Sequence, residues 1–402
     1  MDLTHLKVSL LAPDLAGGGG TRVYLLSQVL RQLGCQVQVC GFSFGDRLYP
    51  EPPADLPVAW VRGCNYPQIW RSLRQLWPHL QGDVLYAVKP RPTSFGVGLL
   101  KRWRSRRPLL LDIDDWEMSW FGGDTWRYRP GPKQLARDLL KPQGALRNPQ
   151  HPVYLQWLEQ RTGWADAITV NNSFLQQRYG GTYLPNGKDT TLFDPQAYDP
   201  EACRARYGLQ GYRVLMFPGT ARPHKGIEDL ALALEQLQQP DFRIVLVGGR
   251  DIGDGYVEGL LERWPQWLLR LPPQPMTAMP GVVAAAHAVI VPQRHDPTAR
   301  AQFPIKLTDG MAMAKPIIST RVGDIPQILG DTGYLVEPNQ PGAIAQALTE
   351  LFADWPAAQR RGQAARHRCV QYYSVNAMAI VLADLLAQVA APKLPSTSGL
   401  AA

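Results

Sequence analysis

Short apolar runs recur along the chain, separated by stretches of helical period. In the first half they fall at residues 6–12, 37–40, 58–61, 84–88, 109–113 and 167–170. Gly, Pro or Asp flanks most of them, as expected of buried strands. Between the first two, Val23, Leu26, Leu30 and Leu33 share one face of a helix over 21–33, which Gly34 stops. A second series begins after the Pro/Asp-rich stretch 194–202. Its strands fall at 214–218, 243–247, 288–291, 316–319 and 333–336, with helices at 226–237, 280–286, 305–314 and 341–352. Strands alternating with helices predict parallel, doubly wound sheets. The fold class is therefore α/β, with two Rossmann-like halves and no internal repeat. Residues 116–152 break the rhythm and read as a long functional loop or a helical insertion. An amphipathic helix over 375–389 closes the pattern. The Pro/Ser/Gly/Ala tail from 392 reads as loose.

Composition narrows the class. A chain of 402 residues with 45% hydrophobic content suits two or three ordinary cores, and 19% charge is low for disorder. No apolar run is long enough for a transmembrane helix. The first residues lack a basic region and a cleavage site, so they read as a buried strand rather than a signal peptide. Five cysteines without a CxxC pair point away from a disulfide framework or zinc site and toward a reducing cytosol. The formal charge of +8 favours anionic partners: nucleotide sugars, acidic lipids or nucleic acid.

Residues 289–320 carry the most information. An apolar run, a polar loop, a small helix with one acid, Asp309, and a second apolar run follow one another. A helix N-terminus offers N–H groups and positive dipole to an anion. A carboxylate nearby can accept from a ribose. The unit reads as a nucleoside-diphosphate seat. Residues 217–234 place Gly219, Arg222 and Lys225 between a strand end and a helix start. Two cations there suit a diphosphate; the alternative is a solvated charged loop. The glycine loop 17–20 lacks the third Gly of a dinucleotide fingerprint, because Arg22 stands there. It either lets backbone approach a phosphate or sugar, or is a flexible turn.

Three further groups are ambiguous. Asp112, Asp114 and Asp115 end a strand, where they can bind a metal or hydroxyls, act as a base, or simply cap a helix. The basic run 101–107 reads first as a solvated helix end, with acidic lipid or nucleic acid as alternatives. His295 and Asp296 are sugar contacts or turn chemistry.

Taken in order, these residues resemble a GT-B glycosyltransferase of family 4, the retaining, nucleotide-sugar-dependent group. The family's GGxxRV is met by Gly18, Gly19, Arg22 and Val23, and its N-G-x-D linker by Asn186, Gly187 and Asp189. Its G-R-x-x-P-x-K-G is met by Gly219, Pro223, Lys225 and Gly226. Its E-x7-E helix and following strand are met by Asp309, Met311, Ala312, Pro316, Ile317 and Ile318. Thr220 replaces the usual Arg, Asp309 replaces the second Glu, and Ala301 replaces the first acid.

The resemblance implies a GT-B architecture. An acceptor domain would span 1–195 and a donor domain 205–370, with a cleft between them. A crossover helix over 371–391 would return to the first domain, before a flexible tail, 392–402. It implies Arg222 and Lys225 as catalytic leaving-group cations. It implies Gly18, Gly19, Gly219, Phe303, Pro304, Ile305 and Asp309 as the donor seat. Asp296 and Arg300 are candidates for the donor sugar, and Asp114, Asp115 and Trp116 for the acceptor. The implied partners are a nucleotide sugar as substrate and a glycan, lipid-linked or small-molecule acceptor. No metal, other cofactor or nucleic acid is implied. The expected location is cytoplasmic, with peripheral contact at the inner membrane surface as an option. Two other readings compete: a GT-B binding partner that has lost transfer, and a nucleotide-sugar epimerase.

Overall fold

The structure, a computed structural model, describes residues 3–17, 19–248 and 255–390. Seven strands form the first sheet: β1 (Lys7–Ala12), β2 (Gln36–Ser43), β3 (Val58–Arg62), β4 (Val84–Val88), β5 (Leu109–Ile113), β6 (Ala167–Val170) and β7 (Thr182–Tyr183). Six form the second: β8 (Arg213–Phe217), β9 (Phe242–Val247), β10 (Leu268–Leu271), β11 (Ala288–Val291), β12 (Ile317–Thr320) and β13 (Tyr334–Val336). Their spatial orders are β3-β2-β1-β4-β5-β6-β7 and β10-β9-β8-β11-β12-β13. Every pairing is parallel. Both faces of such sheets are covered by helices, so central strands are apolar throughout; β4, β5 and β11 are buried at every residue. Strand order reverses between β1 and β4 and between β8 and β11. Crevices for ligands open at those switch points, beyond the strands' C-terminal ends.

The apolar pattern predicts most strands but misses β7 and β10. β7 has only two residues. In β10, Leu-Leu-Arg-Leu, the polar Arg270 interrupts the run and pairs with Glu258 at 2.9 Å. The unpatterned segment 116–152 is a helical insertion: three short turns (Glu117–Phe121, Gly123–Thr125 and Ala145–Arg147) and a helix (Pro132–Leu140). The expected loose tail lies outside the described residues.

The chain crosses between the sheets twice, side by side. Lys188 N–H donates to the Tyr373 carbonyl at 2.7 Å, and Val375 N–H donates to the Lys188 carbonyl at 3.0 Å. Gly187 is required there, since a Cβ would sit 2.6 Å from the Ser374 carbonyl oxygen and 2.7 Å from the Met378 sulfur. The second crossing leads into the helix Val375–Ala390. Met378, Leu382, Leu385 and Leu386 bury its apolar face against Leu26, Val29 and Leu30 of the helix Gly20–Gln32. Each such leucine contributes about 1.5–3 kcal/mol of burial free energy. Among the described residues, no helix is long and apolar enough to cross a membrane.

Candidate active site in the cleft

The loop after β8 is shaped by Gly226. Its φ is +71°, and a Cβ would lie 1.9 Å from the Pro292 carbonyl oxygen, so only glycine fits. This contact presses the loop onto the segment following β11. Arg294, in that segment, grips Asp229 with two bonds of 2.7 and 2.9 Å and Glu228 at 2.7 Å. Its backbone N–H also donates to the His224 carbonyl at 3.0 Å. Arg294 thereby takes up the acids in the first turn of the helix Ile227–Leu237.

Three other cations stay without an acid among the described residues. Lys225 Nζ donates to the neutral Gln302 Oε1 at 2.8 Å. The Arg222 guanidinium lies 5.5 Å from the Trp120 ring centre. Lys306, in the first turn of the helix Ile305–Ala312, runs across Gly219, whose missing Cβ would be 2.5 Å from Lys306 Cε. That close approach explains a glycine at 219. Among the described residues, none of the three cations forms a salt bridge. The helix start beside them has no side-chain cap.

Burial and crowding of like charge act on this cluster. Burial, then the Lys306 and Arg222 charges, pull the Lys225 ammonium down to about 7, against the opposing pull of Asp115 and Asp296. Burial likewise lowers Lys306, with Asp309 opposing. Burial and then Lys225 push the His224 imidazole down to about 4. An anion placed here would relieve all three.

Asp309 is buried, and its Oδ1 is ion-paired with the Lys188 ammonium from the crossing segment. Phe303 is also buried and packs on Tyr373 at 6.0 Å, so its side chain belongs to the core. Pro304 and Ile305 form the helix entry. Asp296 accepts from Thr298 N–H at 2.8 Å, capping the turn Pro297–Arg300. The Arg300 side chain points out over Phe174, at 5.9 Å. Ala301 is fully buried in an apolar cluster of the first domain, and its carbonyl accepts from Asn172 Nδ2 at 2.9 Å. A carboxylate at 301 would lie in that cluster.

Across the cleft, the three strand-end acids separate. Asp112 is an internal strut. Its carboxylate receives Arg22 Nε at 3.0 Å, Arg22 Nη2 at 2.8 Å and Thr169 Oγ1 at 2.7 Å. Arg22 also donates to the Leu184 and Pro185 carbonyls and to Asn186 Oδ1. Asp114 and Asp115 face Lys89 at 3.5 and 4.0 Å. Burial raises both, Asp115 to about 6, with Lys89 opposing. Burial raises Glu117 too, but Lys89 and Arg91 overcome it and hold that carboxyl at about 2. None of the three aspartates caps the following turn. Trp116 is buried, with Arg178 stacked 4.5 Å from its ring, so it does not present a face to a sugar. Trp120 does reach the cleft: its Nε1 donates to Asp115 Oδ2 at 3.1 Å, and its ring lies 6.1 Å from His224.

In the glycine loop, Cβ atoms at Gly17 and Gly19 would collide with Asp14, at 2.6 and 2.8 Å. Those glycines therefore serve a tight turn folded on its own chain. Gly18 lies outside the described residues. Lys306, Lys188 and Trp120 were not singled out by sequence reasoning. Lys306 carried one signal, its place in the first turn of the helix Ile305–Ala312.

Two parallel α/β domains facing one another across a cationic cleft define the GT-B glycosyltransferase class. Sequence profiles agree. The profile described as Glycosyltransferase Family 4 matches residues 16–192, and Glycosyl transferases group 1 matches 212–354. The chain belongs to the GT-B, family 4-like glycosyltransferases and is an enzyme of that kind. It is 26% identical over 318 residues to the GDP-mannose-dependent alpha-(1-6)-phosphatidylinositol monomannoside mannosyltransferase of Mycolicibacterium smegmatis, covering 70% of this chain and 79% of that one. It is 27% identical over 414 residues to a D-inositol 3-phosphate glycosyltransferase of Streptomyces avermitilis, covering 93% and 84%. A glycosyltransferase from Rickettsia africae ESF-5 shares the fold with a TM-score of 0.72 at 16% identity, covering 97% of this chain and 100% of that one. Anabaena HepE in complex with UDP-glucose shares it at 0.71 and 18%, covering 96% and 100%.

Proposed function

We propose that the enzyme transfers a sugar, with retention of anomeric configuration, from a nucleoside-diphosphate donor to a hydroxyl of a glycan, lipid-linked or small-molecule acceptor. The observation that carries the reading is the trio Arg222, Lys225 and Lys306. Among the described residues these cations form no salt bridge, and they meet at a helix start beside Gly219. A diphosphate fits that arrangement. Its charge pairs with the cations, and the N–H groups at Ile305 and Lys306 donate to its oxygens.

The chemistry follows from where charge develops. As the bond from the anomeric carbon to the diphosphate breaks, negative charge grows on the leaving oxygen. Arg222 and Lys225 stabilise it, the kind of electrostatic assistance that supplies the largest rate term. Side-chain cations carry this load, so the reaction as proposed uses no metal. The departing phosphate takes the acceptor's proton on the face from which it leaves. Asp309 binds the ribose through Oδ2, while Lys188 fixes Oδ1. Asp296, whose charge acts on Lys225, is the sugar-side acid in place of the missing one at 301. Asp115 and Trp120 form the acceptor wall.

The test is a donor panel that includes GDP-mannose, on which one similar enzyme depends, and UDP-glucose, which is bound in one similar structure. Product from at least one donor, with its anomeric configuration retained by NMR, is expected. Inverted product refutes retention. No turnover with any donor, and no donor binding, refutes the transfer reading.

A further inference from the structure

We propose that the first domain docks on the face of an anionic phospholipid bilayer, with one acyl chain entering an apolar basin beside the cleft. The basin measures about 970 Å³ and lies between the helices Ile69–Leu76, Val97–Ser105 and Pro152–Glu159. Ile69, Leu73, Val97 and Leu158 form its floor. Four tryptophans stand at its rim: Trp70, Trp103, Trp157 and Trp164, exposed by 53, 83, 47 and 50%. A folded chain seldom leaves so much aromatic surface in water without a partner. Tryptophan is the side chain that settles at the boundary of headgroups and acyl chains.

The charge around the rim gives the sign of the partner. Arg102 and Arg106 line the basin, and Arg71, Arg74 and Arg104 are exposed on the same two helices. Residues 69–107 contain a single acid, Asp83, whose carboxylate is occupied by Lys7 N–H. Arg102 is paired with Asp166 at 2.9 Å, and the exposed Arg71, Arg74, Arg104 and Arg106 leave the face cationic, so it complements a negative surface. A nucleic acid would satisfy the arginines but has nothing to fill a deep apolar basin. A phospholipid supplies both an anionic headgroup and a chain.

The basin also sits where an acceptor would be needed. Pro92 and Gly96 follow the end of β4, next to Arg91, which binds Glu117 near Asp114 and Asp115. Docking there presents the cleft to substrates embedded in the bilayer. That last consequence rests on the transfer reading; the docking does not.

The full-length chain is sedimented with vesicles of phosphatidylcholine alone and of equal parts phosphatidylcholine and phosphatidylglycerol. Pelleting with the anionic vesicles only, weakened by salt, is expected. Trp103→Ala should reduce it. Arg104→Gln with Arg106→Asn should reduce it by about fivefold per cation lost; Asn suits the left-handed backbone at 106. These side chains are exposed, so circular dichroism should be unchanged. The proposal is overturned if wild type ignores anionic vesicles, if it pellets equally with neutral ones, or if the variants pellet like wild type. Binding of a duplex oligonucleotide through the same arginines, with no vesicle binding, also overturns it. Turnover on a water-soluble acceptor is measured in parallel. Lost vesicle binding with intact turnover refutes docking alone. Intact vesicle binding with no turnover refutes transfer alone.

Discussion

Lys188, on the segment where the chain first crosses between the two sheets, is ion-paired with Asp309 on the helix Ile305–Ala312. Both side chains are buried, at 7 and 8% exposure. Lys188 also lies 4.8 Å from the Phe193 ring and, through its backbone, joins the second crossing. One ion pair thus links the crossing segment to the helix proposed to hold the nucleotide.

Removing one member of a buried pair leaves an uncompensated charge. Asp309→Asn is expected to lower stability by about 3–5 kcal/mol. The Lys188→Met/Asp309→Leu double variant should recover much of that loss. Urea unfolding of the single and double variants checks the coupling. Donor affinity should fall in both, because the ribose carboxylate is gone in both. Donor binding equal to wild type by calorimetry would sink the ribose assignment.

Gly219→Ala separates the site from the fold. The new Cβ meets the far end of the flexible Lys306 side chain, which can move aside. Thermal unfolding should change little, by under about 1 kcal/mol, while donor binding weakens because Lys306 is displaced. A large loss of stability with unchanged donor binding would refute the placement of Lys306.

The Arg22–Asp112 strut predicts the opposite pattern. Arg22→Lys loses the forked contact to Asp112 and several of the carbonyl contacts. A loss of about 3–5 kcal/mol is expected. Turnover of the surviving folded enzyme should stay near wild type. A normal midpoint in urea would contradict the strut.

Lys225 sets a pH dependence with a definite sign. Its ammonium is held at about 7 in the folded state, below the ordinary 10.5 of the unfolded chain. Below pH 7 both states are protonated, and the folded state bears the full cost of the buried charge. Between pH 7 and 10.5 the unfolded chain binds more protons, so this group adds stability as pH rises. Lys225→Met should therefore stabilise the free enzyme most at acid pH. A bound diphosphate favours the ammonium, so binding above pH 7 should take up a proton and weaken as pH rises. Binding heats compared in buffers of different ionisation enthalpy would show the uptake.

The sequence makes the sheets and the loop after β8 legible, because strand periodicity and strand-end glycines and cations are local signals. Gly219, Arg222 and Lys225 fall where that local pattern puts them. The pairings that organise the cleft are not local. Nothing near Lys188 points to Asp309, and nothing near Arg22 points to Asp112, since each pair forms only when distant segments meet. Trp116 reads as a candidate for the acceptor, yet it packs under Arg178, and the neighbouring Trp120 reaches the cleft instead. Lys306 gives no sign in the sequence of its path across Gly219.

The central claim is that the unpaired cations at Gly219 hold a nucleoside diphosphate. Calorimetric titration of UDP and GDP into wild type, Lys225→Ala and Lys306→Ala tests it most directly. One nucleotide should bind wild type, and each variant should lose about tenfold or more in affinity, as expected for a charge-assisted hydrogen bond. Failure of both nucleotides to bind wild type, or equal binding by both variants, would contradict it.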